Sequence, residues 1–401
     1  MRIGIDCHNL EGNRTGVGRY LQNLLREWAK LTWSNPAKYR VELVLYFKEE
    51  VTEDILDLSQ CKTDSTGLPK TGWKIRNLGV SSNAIFKHWA LPRAAAKDGV
   101  DVLFCPDYVL PIYTGRLHSH IKTALTLHDI IYEARPGEYS WPSWADKILL
   151  KWASRRSAKK ADIIFTPSNF TKQEVIKYYN VNPNRIVVTP LAPDPVFKKI
   201  DFNDVNASHA GKEIRKKYNI KDRFIFFTGS IFNRRFIPRT LEAFEKFAES
   251  HQDFQFVIVG KNHTNPYENI GRKIADINKK FGREAIVWKD HTKSDKELVW
   301  LYNKAHITLW LSSYEGFGLP VLESMACGTP VITSPHGSLP EVAGNAALYV
   351  ENPGKSEEIC NSLHKLVKDS ILYRQFVDKG FERIKKFSWQ KTAEDTLKNL
   401  M

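Results

Sequence analysis

The fold is decided by the stretch at residues 307–333, which reads ITLWLSSYEGFGLPVLESMACGTPVIT. An apolar run, Ile307–Leu311, is short enough for a buried strand, and the glycine-rich segment after it is typical of a turn. The residues Val321–Ala326 then predict a helix that ends at Gly328, and Val331–Thr333 predicts the next strand. Two strands joined through a helix are typical of a parallel sheet.

The same alternation of short apolar runs and helical patterns extends along the chain. It predicts an α/β fold with two Rossmann-like domains, each a parallel sheet covered by helices. The other predicted strands are Ile3–Asp6, Val41–Phe47, Val102–Cys105, Ala124–Leu127, Ile163–Thr166, Ile186–Thr189, Phe224–Thr228, Phe256–Val259 and Ile286–Trp288. The other predicted helices are Val17–Leu31, Trp144–Lys160, Thr171–Tyr179, Thr240–Glu249, Asn269–Lys280 and Asp295–Lys304.

The break between the two sets of strands lies near Pro190–Lys221, which contains three prolines followed by a polar, charged run. Open parallel sheets bind ligands at the carboxyl ends of their strands. We therefore expect two sheets that face each other across a cleft, with a nucleotide on one domain and a second substrate on the other. This architecture alone suits many chemistries.

The composition describes an ordinary globular chain of 401 residues with a formal charge of +14. That surplus indicates an anionic partner, such as ligand phosphates, acidic lipid head groups or nucleic acid, or serves solubility alone. The five cysteines are odd in number and lack a Cys-x-x-Cys pair, which argues against a zinc site or a disulfide framework. The amino terminus is typical of a strand and no apolar run could span a membrane, so we expect a cytoplasmic protein.

The segment after the strand at 307–311 has the features of an anion site. Gly316 and Gly318 let the backbone approach a ligand closely, and the free amides of the helix that begins near Pro320 favour a diphosphate. Glu315 and Glu323 offer carboxylates to sugar hydroxyls. The alternative is a glycine-rich turn with one capping and one exposed glutamate. We prefer the ligand site, because all five residues fit one ligand geometry.

Glu315 and Glu323, with seven residues between them, match the E-x7-E motif of the family 4 retaining glycosyltransferases. The surrounding stretch EGFGLPVLESMACGTPVITS also resembles this family. So do RIGIDCHNL, GNRTGVGRYLQNLL, ADIIFTPSNFTKQEVIKYYNV and NRIVVTPLAPDPVF, so that the resemblance spans nearly the whole chain. Within the family, the chain is similar to bacterial polysaccharide mannosyltransferases.

The resemblance implies a GT-B fold. Its N-terminal Rossmann-like domain, residues 1–192, would bind the acceptor and would be completed by a crossover helix at 387–401. Its C-terminal Rossmann-like domain, residues 193–386, would bind the nucleotide-sugar donor.

The resemblance also assigns roles in the C-terminal domain. Glu315 would contact hydroxyls of the donor sugar, and Glu323 would contact the ribose. Backbone amides facing the sugar and the phosphates would come from Gly316, Phe317, Gly318 and Leu319.

The diphosphate would be held by Arg234 and Arg235, in the loop that begins with Gly229 and Ser230. The family usually has arginine and lysine followed by asparagine, whereas this chain has Arg235 in place of the lysine and Phe236 in place of the asparagine. Arginine keeps the charge and adds a planar fork, so phosphate binding should survive. Two solvated surface arginines are the alternative.

Three N-terminal residues complete the predicted site. His128 ends a predicted strand and matches the family histidine that lies against the donor sugar, although a lone histidine at a strand end is usually structural. Asp129 would orient His128 or meet the acceptor hydroxyl. Gly16 is expected in the loop between the first strand and the first helix, near the phosphates.

The predicted reaction moves a sugar, with mannose from GDP-mannose as the leading candidate, from a nucleoside diphosphate to a glycan or lipid-linked acceptor hydroxyl, with retention. His128, Glu315, Arg234 and Arg235 would be the catalytic residues. We expect no cofactor and no metal. The alternatives are a catalytically silent nucleotide-sugar-binding protein and a basic nucleic-acid-binding protein; dispersed charges argue against nucleic acid.

The segment 141–160, WPSWADKILLKWASRRSAKK, predicts a basic helix. Trp144, Ile148 and Trp152 share one face, as in helices that lie on an anionic membrane. We favour the other interpretation, a core-packed helix with a solvated opposite face. Peripheral contact with the inner face of the membrane stays open.

Overall fold

The computed structural model describes residues 1–12, 16–34, 37–59, 73–112, 120–139, 141, 143–202, 205–220 and 223–401. The chain divides into two compact units. The N-terminal unit contains Met1–Ala134, Trp141–Leu191 and Ser388–Met401, and the C-terminal unit contains Arg135–Ser140 and Ala192–Phe387. Residues 13–15 of the opening family motif lie outside the described residues.

The N-terminal unit is built on a parallel sheet with the strand order β3-β2-β1-β4-β5-β6-β7. Strands β1 to β7 are Arg2–Asp6, Glu42–Phe47, Trp73–Asn77, Val102–Cys105, Lys122–Thr126, Ile163–Thr166 and Ile186–Val188. Helices α1 to α7 are Gly16–Ser34, Glu53–Ser59, Asn83–Ile85, Leu91–Lys97, Ile131–Ala134, Trp144–Lys160 and Asn169–Tyr179. A π-helical turn, Phe86–Ala90, joins α3 to α4.

The C-terminal unit is built on a second parallel sheet with the order β10-β9-β8-β11-β12-β13. Strands β8 to β13 are Arg223–Thr228, Phe254–Val259, Ile286–Lys289, Ile307–Trp310, Val331–Thr333 and Ala347–Tyr349. Helices α8 to α15 are Val205–Lys217, Ile237–Ser250, Ile270–Phe281, Asp295–Lys304, Leu319–Ala326, Leu339–Ala343, Ser356–Lys368 and Ser370–Ile384.

The strands form where apolar residues run without interruption, because helices on both faces of a parallel sheet bury every side chain. All six residues of Phe254–Val259 are buried, for example. The prediction of an α/β fold with two parallel-sheet domains is confirmed. The prediction omitted two edge strands, Trp73–Asn77 and Ala347–Tyr349. Edge strands are less buried, and WKIRN carries too many polar residues to be recognised as a strand.

The last helix, α16 (Trp389–Leu400), belongs to the N-terminal unit. It packs against α1, where the indole N–H of Trp28 donates a hydrogen bond to the carbonyl oxygen of Ala393 at 2.9 Å. Leu397 and Leu400 are buried in the same unit. The N-terminal core therefore depends on residues that follow the whole C-terminal unit in sequence.

The packing predicted for α6 is wrong. Trp144, Ile148 and Trp152 are exposed, whereas the prediction placed their face against the core. The buried residues of this helix are small and lie in its C-terminal half: Ala153, Ser154, Ser157 and Ala158. Small side chains allow close approach to β5 and α7, so this half alone is anchored. None of the helices in the described ranges is both long and apolar enough to cross a lipid bilayer.

Candidate functional site

Three loops at the carboxyl edge of the C-terminal sheet form the candidate site. They follow β8, β11 and β12, which are neighbours in the sheet, so the loops lie side by side. The first carries Arg234 and Arg235, and the second carries Glu315. The third, residues 334–338, was not predicted to take part.

Arg235 and Glu315 form a buried ion pair at the centre of this site. Nη1 of Arg235 lies 2.6 Å from Oε1 of Glu315, and Nη2 lies 3.2 Å from Oε2. The guanidinium stacks 3.8 Å from the ring centre of Trp310, and Arg235 is only 7% exposed. A planar cation between an indole face and a carboxylate has little freedom to turn.

Arg234 approaches the same carboxylate more loosely. Its Nε lies 3.9 Å from Oε1 of Glu315, and its guanidinium lies 4.2 Å from the ring centre of Phe232. Two cations thus converge on one carboxylate, leaving a local excess of positive charge. The alternative of two solvated surface arginines does not describe this arrangement.

Phe236, which stands where the family usually has asparagine, adopts a left-handed conformation with φ of 55°. It is the residue before α9. Asparagine reaches this region more easily than phenylalanine, for which it costs roughly 1–2 kcal/mol. The departure therefore strains the turn that aims Arg235 but leaves the arginine in place.

The third loop packs against the backbone of Glu315. The Ser338 hydroxyl donates to the carbonyl oxygens of Phe317 at 2.6 Å and Glu315 at 3.0 Å. A Cβ on Gly337, whose φ is +63°, would lie 2.7 Å from the Glu315 nitrogen. Sequence reasoning missed these residues, although a glycine in a loop at the carboxyl end of β12 was an available signal.

Helix α12 begins directly after the glutamate loop. Gly318, with φ of 113°, precedes its first residue, Leu319, and Pro320 lies in the first turn. Amides at the amino end of a helix are available to an anion, but Pro320 has no N–H and the amide of Val321 donates to the carbonyl oxygen of Gly318 at 3.1 Å. The ring of Phe317 packs against that of Phe387 at 5.8 Å, so its side chain has a packing role.

Glu323 faces inward from α12 and is 9% exposed. The hydroxyl of Tyr302 donates to its Oε2 at 2.9 Å. This bond fixes one carboxylate oxygen and thereby orients the other.

Gly229 follows β8 and has φ of +123°. A Cβ added to Gly229 would lie 2.9 Å from the Trp310 ring, and one added to Gly260 would lie 1.9 Å from the Gly229 carbonyl oxygen. Glycine is therefore required at both positions for close packing of the two loops. Ser230 is exposed at the same turn.

His128 lies at the carboxyl end of β5 in the N-terminal unit. Its Nε2 is 3.2 Å from the carbonyl oxygen of Pro106, so Nε2 carries the proton and Nδ1 holds a lone pair. The ring packs edge-on against Tyr20 at 4.8 Å. Burial lowers the pKa of His128 to about 4, which keeps the imidazole neutral near pH 7.

The other two N-terminal residues have simpler surroundings. Oδ1 of Asp129 accepts the amide of Ile131 at 3.1 Å, at the start of α5. Gly16 is the first residue of α1, one position beyond the loop in which it was predicted. A Cβ on Gly16 would meet nothing within 4 Å, so packing does not require glycine there. His128 and Asp129 are consecutive in sequence and both follow β5 in this unit.

A charged cluster that was not predicted lies at the same edge of the N-terminal sheet. Lys87, in the π-helical turn, places Nζ 2.5 Å from Oδ2 of Asp6 and 2.7 Å from Oδ1 of Asp107. His8 Nδ1 lies 2.6 Å from Oδ1 of Asp6. Burial opposes the charge on Lys87, but Asp107 and Asp6 outweigh it and raise the pKa of Lys87.

The charged cluster bears on metal binding and on the position of His128. Asp6, His8 and Asp107 have the chemistry of metal ligands, but the ammonium of Lys87 already bonds both carboxylates. Asp107 follows Pro106, whose carbonyl holds His128. Lys87 therefore helps to fix the loop that sets the tautomer of His128.

The lowered pKa of buried histidines predicts how stability depends on pH. Nε2 of His306 accepts a hydrogen bond from Nη2 of Arg223 at 3.0 Å. Burial and, to a smaller extent, the charge of Arg223 lower the pKa of His306 from 6.5 to about 4. Between these values the unfolded chain binds the proton and the folded chain does not, so stability falls as pH falls. From pH 7 to pH 5 the loss is at most about 2 kcal/mol for this group.

Urea unfolding of the protein and of His306→Gln at pH 7 and pH 5 measures this contribution. We expect the variant to lose less stability than the parent protein over this interval. Equal losses would show that His306 takes up its proton at its ordinary pKa.

Two α/β domains, each built on a parallel sheet, are the architecture of the GT-B class of folds. The chain belongs to the glycosyltransferases: residues 14–196 match the Glycosyltransferase Family 4 model, and residues 211–383 match Glycosyl transferases group 1. The two matches correspond to the two halves of the chain.

Curated relatives include bacterial mannosyltransferases. The chain is 29% identical over 314 residues to the serotype-specific mannosyltransferase WbdA of Escherichia coli, covering 75% of this chain and 37% of that protein. It is 24% identical over 395 residues to the O-antigen chain mannosyltransferase B of Escherichia coli, covering 96% and 95%. The chain thus spans little more than a third of the length of WbdA.

The fold is also that of solved glycosyltransferase-like structures. Anabaena HepE in complex with UDP-glucose aligns over 100% of this chain and 99% of its own, with a TM-score of 0.71 and 12% identity. At 12% identity, this likeness shows a shared fold and nothing about activity.

Proposed function

We propose that this protein is a retaining glycosyltransferase that moves a sugar from a nucleoside diphosphate to a hydroxyl of a glycan or lipid-linked acceptor. Mannose is the leading candidate, because the relatives include O-antigen mannosyltransferases. The product would belong to a polysaccharide or another glycoconjugate. GDP is the leading candidate for the nucleotide of the donor, with UDP as the alternative.

The observation that carries the proposal is the convergence of Arg234 and Arg235 on Glu315 beside the amino end of α12. A diphosphate brings negative charge that the arginines and the helix amides would receive. Glu315, already oriented by Arg235, would accept hydrogen bonds from sugar hydroxyls. Glu323, oriented by Tyr302, would bind the ribose.

The reaction breaks the bond between the anomeric carbon and the phosphate oxygen and forms a bond from that carbon to the acceptor oxygen. Negative charge grows on the leaving diphosphate, where Arg234, Arg235 and the α12 amides stabilise it. The acceptor proton passes to an oxygen of the leaving diphosphate. By the family resemblance, His128 would contact the donor sugar, and Asp129 would meet the acceptor hydroxyl or orient His128.

We propose that transfer needs no metal and no cofactor, because the arginines and helix amides supply the positive charge that a metal would. A lipid-linked acceptor would place the enzyme in the cytoplasm, at the inner face of the membrane.

A thermal-shift screen against GDP, UDP, ADP and their common sugars, without added metal, tests donor binding. We expect one nucleotide family to raise the melting temperature of the parent protein. Arg235→Met should lose this rise, while Arg223→Met, on an exposed arginine at the other end of the same strand, should keep it. No rise in folded parent protein overturns the proposal, and binding without sugar transfer to any acceptor leaves a silent binding protein.

Glu323→Ala should weaken donor binding by roughly 10–100-fold, because a charge-assisted bond to the ribose is worth about 1.5–3 kcal/mol. Tyr302→Phe keeps the carboxylate and removes only its orienting hydroxyl, so its effect should be smaller. Titration calorimetry with the donor measures both. Unchanged affinity in Glu323→Ala would contradict the ribose assignment.

A further inference from the structure

The exposed apolar residues of the protein are concentrated on one part of the N-terminal unit. Of the large apolar side chains that are exposed in the described part of the chain, six of eleven lie in two short segments. With their exposed fractions they are Ile85 (53%), Trp89 (56%), Trp144 (77%), Ile148 (59%), Leu149 (60%) and Trp152 (49%). We call these six the apolar patch. Such a concentration of exposed apolar surface indicates a docking site.

The two segments of the apolar patch are neighbours in the structure. His88, next to Trp89, accepts the amide of Ile112 on Nδ1 at 3.3 Å. Arg156 donates from Nη2 to the carbonyl oxygen of the same residue at 3.3 Å. Trp152 and Arg156 are one helical turn apart in α6 and therefore lie on one face. One residue, Ile112, thus links the two segments.

The charges around the apolar patch are mainly positive. Helix α6 carries six cations against one carboxylate, Asp146: Lys147, Lys151, Arg155, Arg156, Lys159 and Lys160. Lys151 and Arg155 share Glu133 as a partner, so part of this charge is compensated. The guanidinium of Arg93 lies 3.6 Å from the ring centre of Trp89, which adds a cation to the second segment.

We propose that the apolar patch and the cations around it bind the surface of an anionic lipid bilayer. Indole rings prefer the boundary between head groups and acyl chains, and lysine and arginine attract acidic head groups. Two of the three exposed tryptophans have a guanidinium near the ring, Arg93 at Trp89 and Arg156 at Trp152, which favours an anionic surface as the partner. The inference rests on the proposed function, because a lipid-linked acceptor would give membrane binding its purpose. Vesicle binding itself can be measured without sugar transfer.

Vesicle sedimentation tests the proposal with the full chain. We expect the protein to sediment with vesicles of phosphatidylcholine and phosphatidylglycerol, and at least tenfold less with phosphatidylcholine alone. Trp144→Ser/Trp152→Ser should lower the partition coefficient for the mixed vesicles by at least tenfold. A matched control, Tyr267→Ser/Ile371→Ser, removes two similarly exposed apolar side chains from the C-terminal unit and should bind like the parent protein.

Three results would overturn the proposal: no binding to the mixed vesicles, equal loss in the control variant, or a dimer in sedimentation velocity without lipid that Trp144→Ser/Trp152→Ser dissociates. The last would assign the apolar patch to a second copy of the chain. The thermal shift with donor, measured on the same variants, should be unchanged. Parent protein that shows the donor shift but does not bind the mixed vesicles would overturn this inference and leave the proposed function standing. Parent protein that binds the vesicles without a donor shift would do the reverse.

Discussion

Replacing Arg235 by methionine should lower kcat by roughly 100–1000-fold, because the variant lacks a cation that stabilises the leaving diphosphate. It should also lower the free energy of unfolding by about 3–5 kcal/mol, since the Glu315 side chain is only 11% exposed and would lose its main partner. Initial rates with saturating donor and urea unfolding measure the two effects.

Arg223→Met separates the role in catalysis from the general loss of an arginine. Arg223 also stacks on an aromatic ring, Phe254, at 4.3 Å and also meets a carboxylate, Asp253, at 3.4 Å. It is exposed, however, and lies at the amino end of β8. We expect its loss to cost less than about 1 kcal/mol and to leave kcat unchanged. A normal kcat in Arg235→Met would remove this residue from the catalytic set.

His128→Ala should lower kcat by roughly 100-fold while changing the donor Kd by a few-fold at most. The neutral imidazole is held by Pro106 and Tyr20 in one orientation, and a fixed dipole contributes more in the transition state than in the ground state. Since its pKa is lowered to about 4, the acid limb of kcat due to His128 should lie below pH 5.

His306→Ala is the matched control for His128. His306 is also partly buried with a pKa lowered to about 4, but it lies at the amino end of β11, opposite the site. Its removal should change stability and leave kcat within a factor of about two. If both variants lose activity equally, the role of His128 is structural.

Local sequence was enough to predict the elements that build the candidate site of the C-terminal unit. Ile307–Leu311, the glycine turn and Val321–Ala326 each carry their own signal, because an apolar run, two glycines and a proline restrict the backbone locally. The order of these signals also places Glu315 at the carboxyl end of a strand. What the sequence did not reveal is that Arg235 and Glu315, 80 residues apart, form an ion pair.

The remaining errors concern partners that are distant in sequence. Lys87 meets Asp6 across 81 residues, and no local pattern marks a lysine as buried. Ser338 acts on Glu315 only because β11 and β12 are adjacent. For α6, the period of apolar residues identifies a face but not what covers it, so Trp152 was assigned to the core when it is exposed.

The position of α16 bears on the order in which the protein can be made. Domains that emerge first from the ribosome usually fold first, at about 5–20 residues per second of synthesis. The partner that covers Trp28, however, lies in Trp389–Leu400, so the first half must wait roughly 10–40 s with that surface open. During this interval a chaperone could bind the nascent chain there, and the C-terminal unit, the later one in synthesis, can be the earlier one to finish.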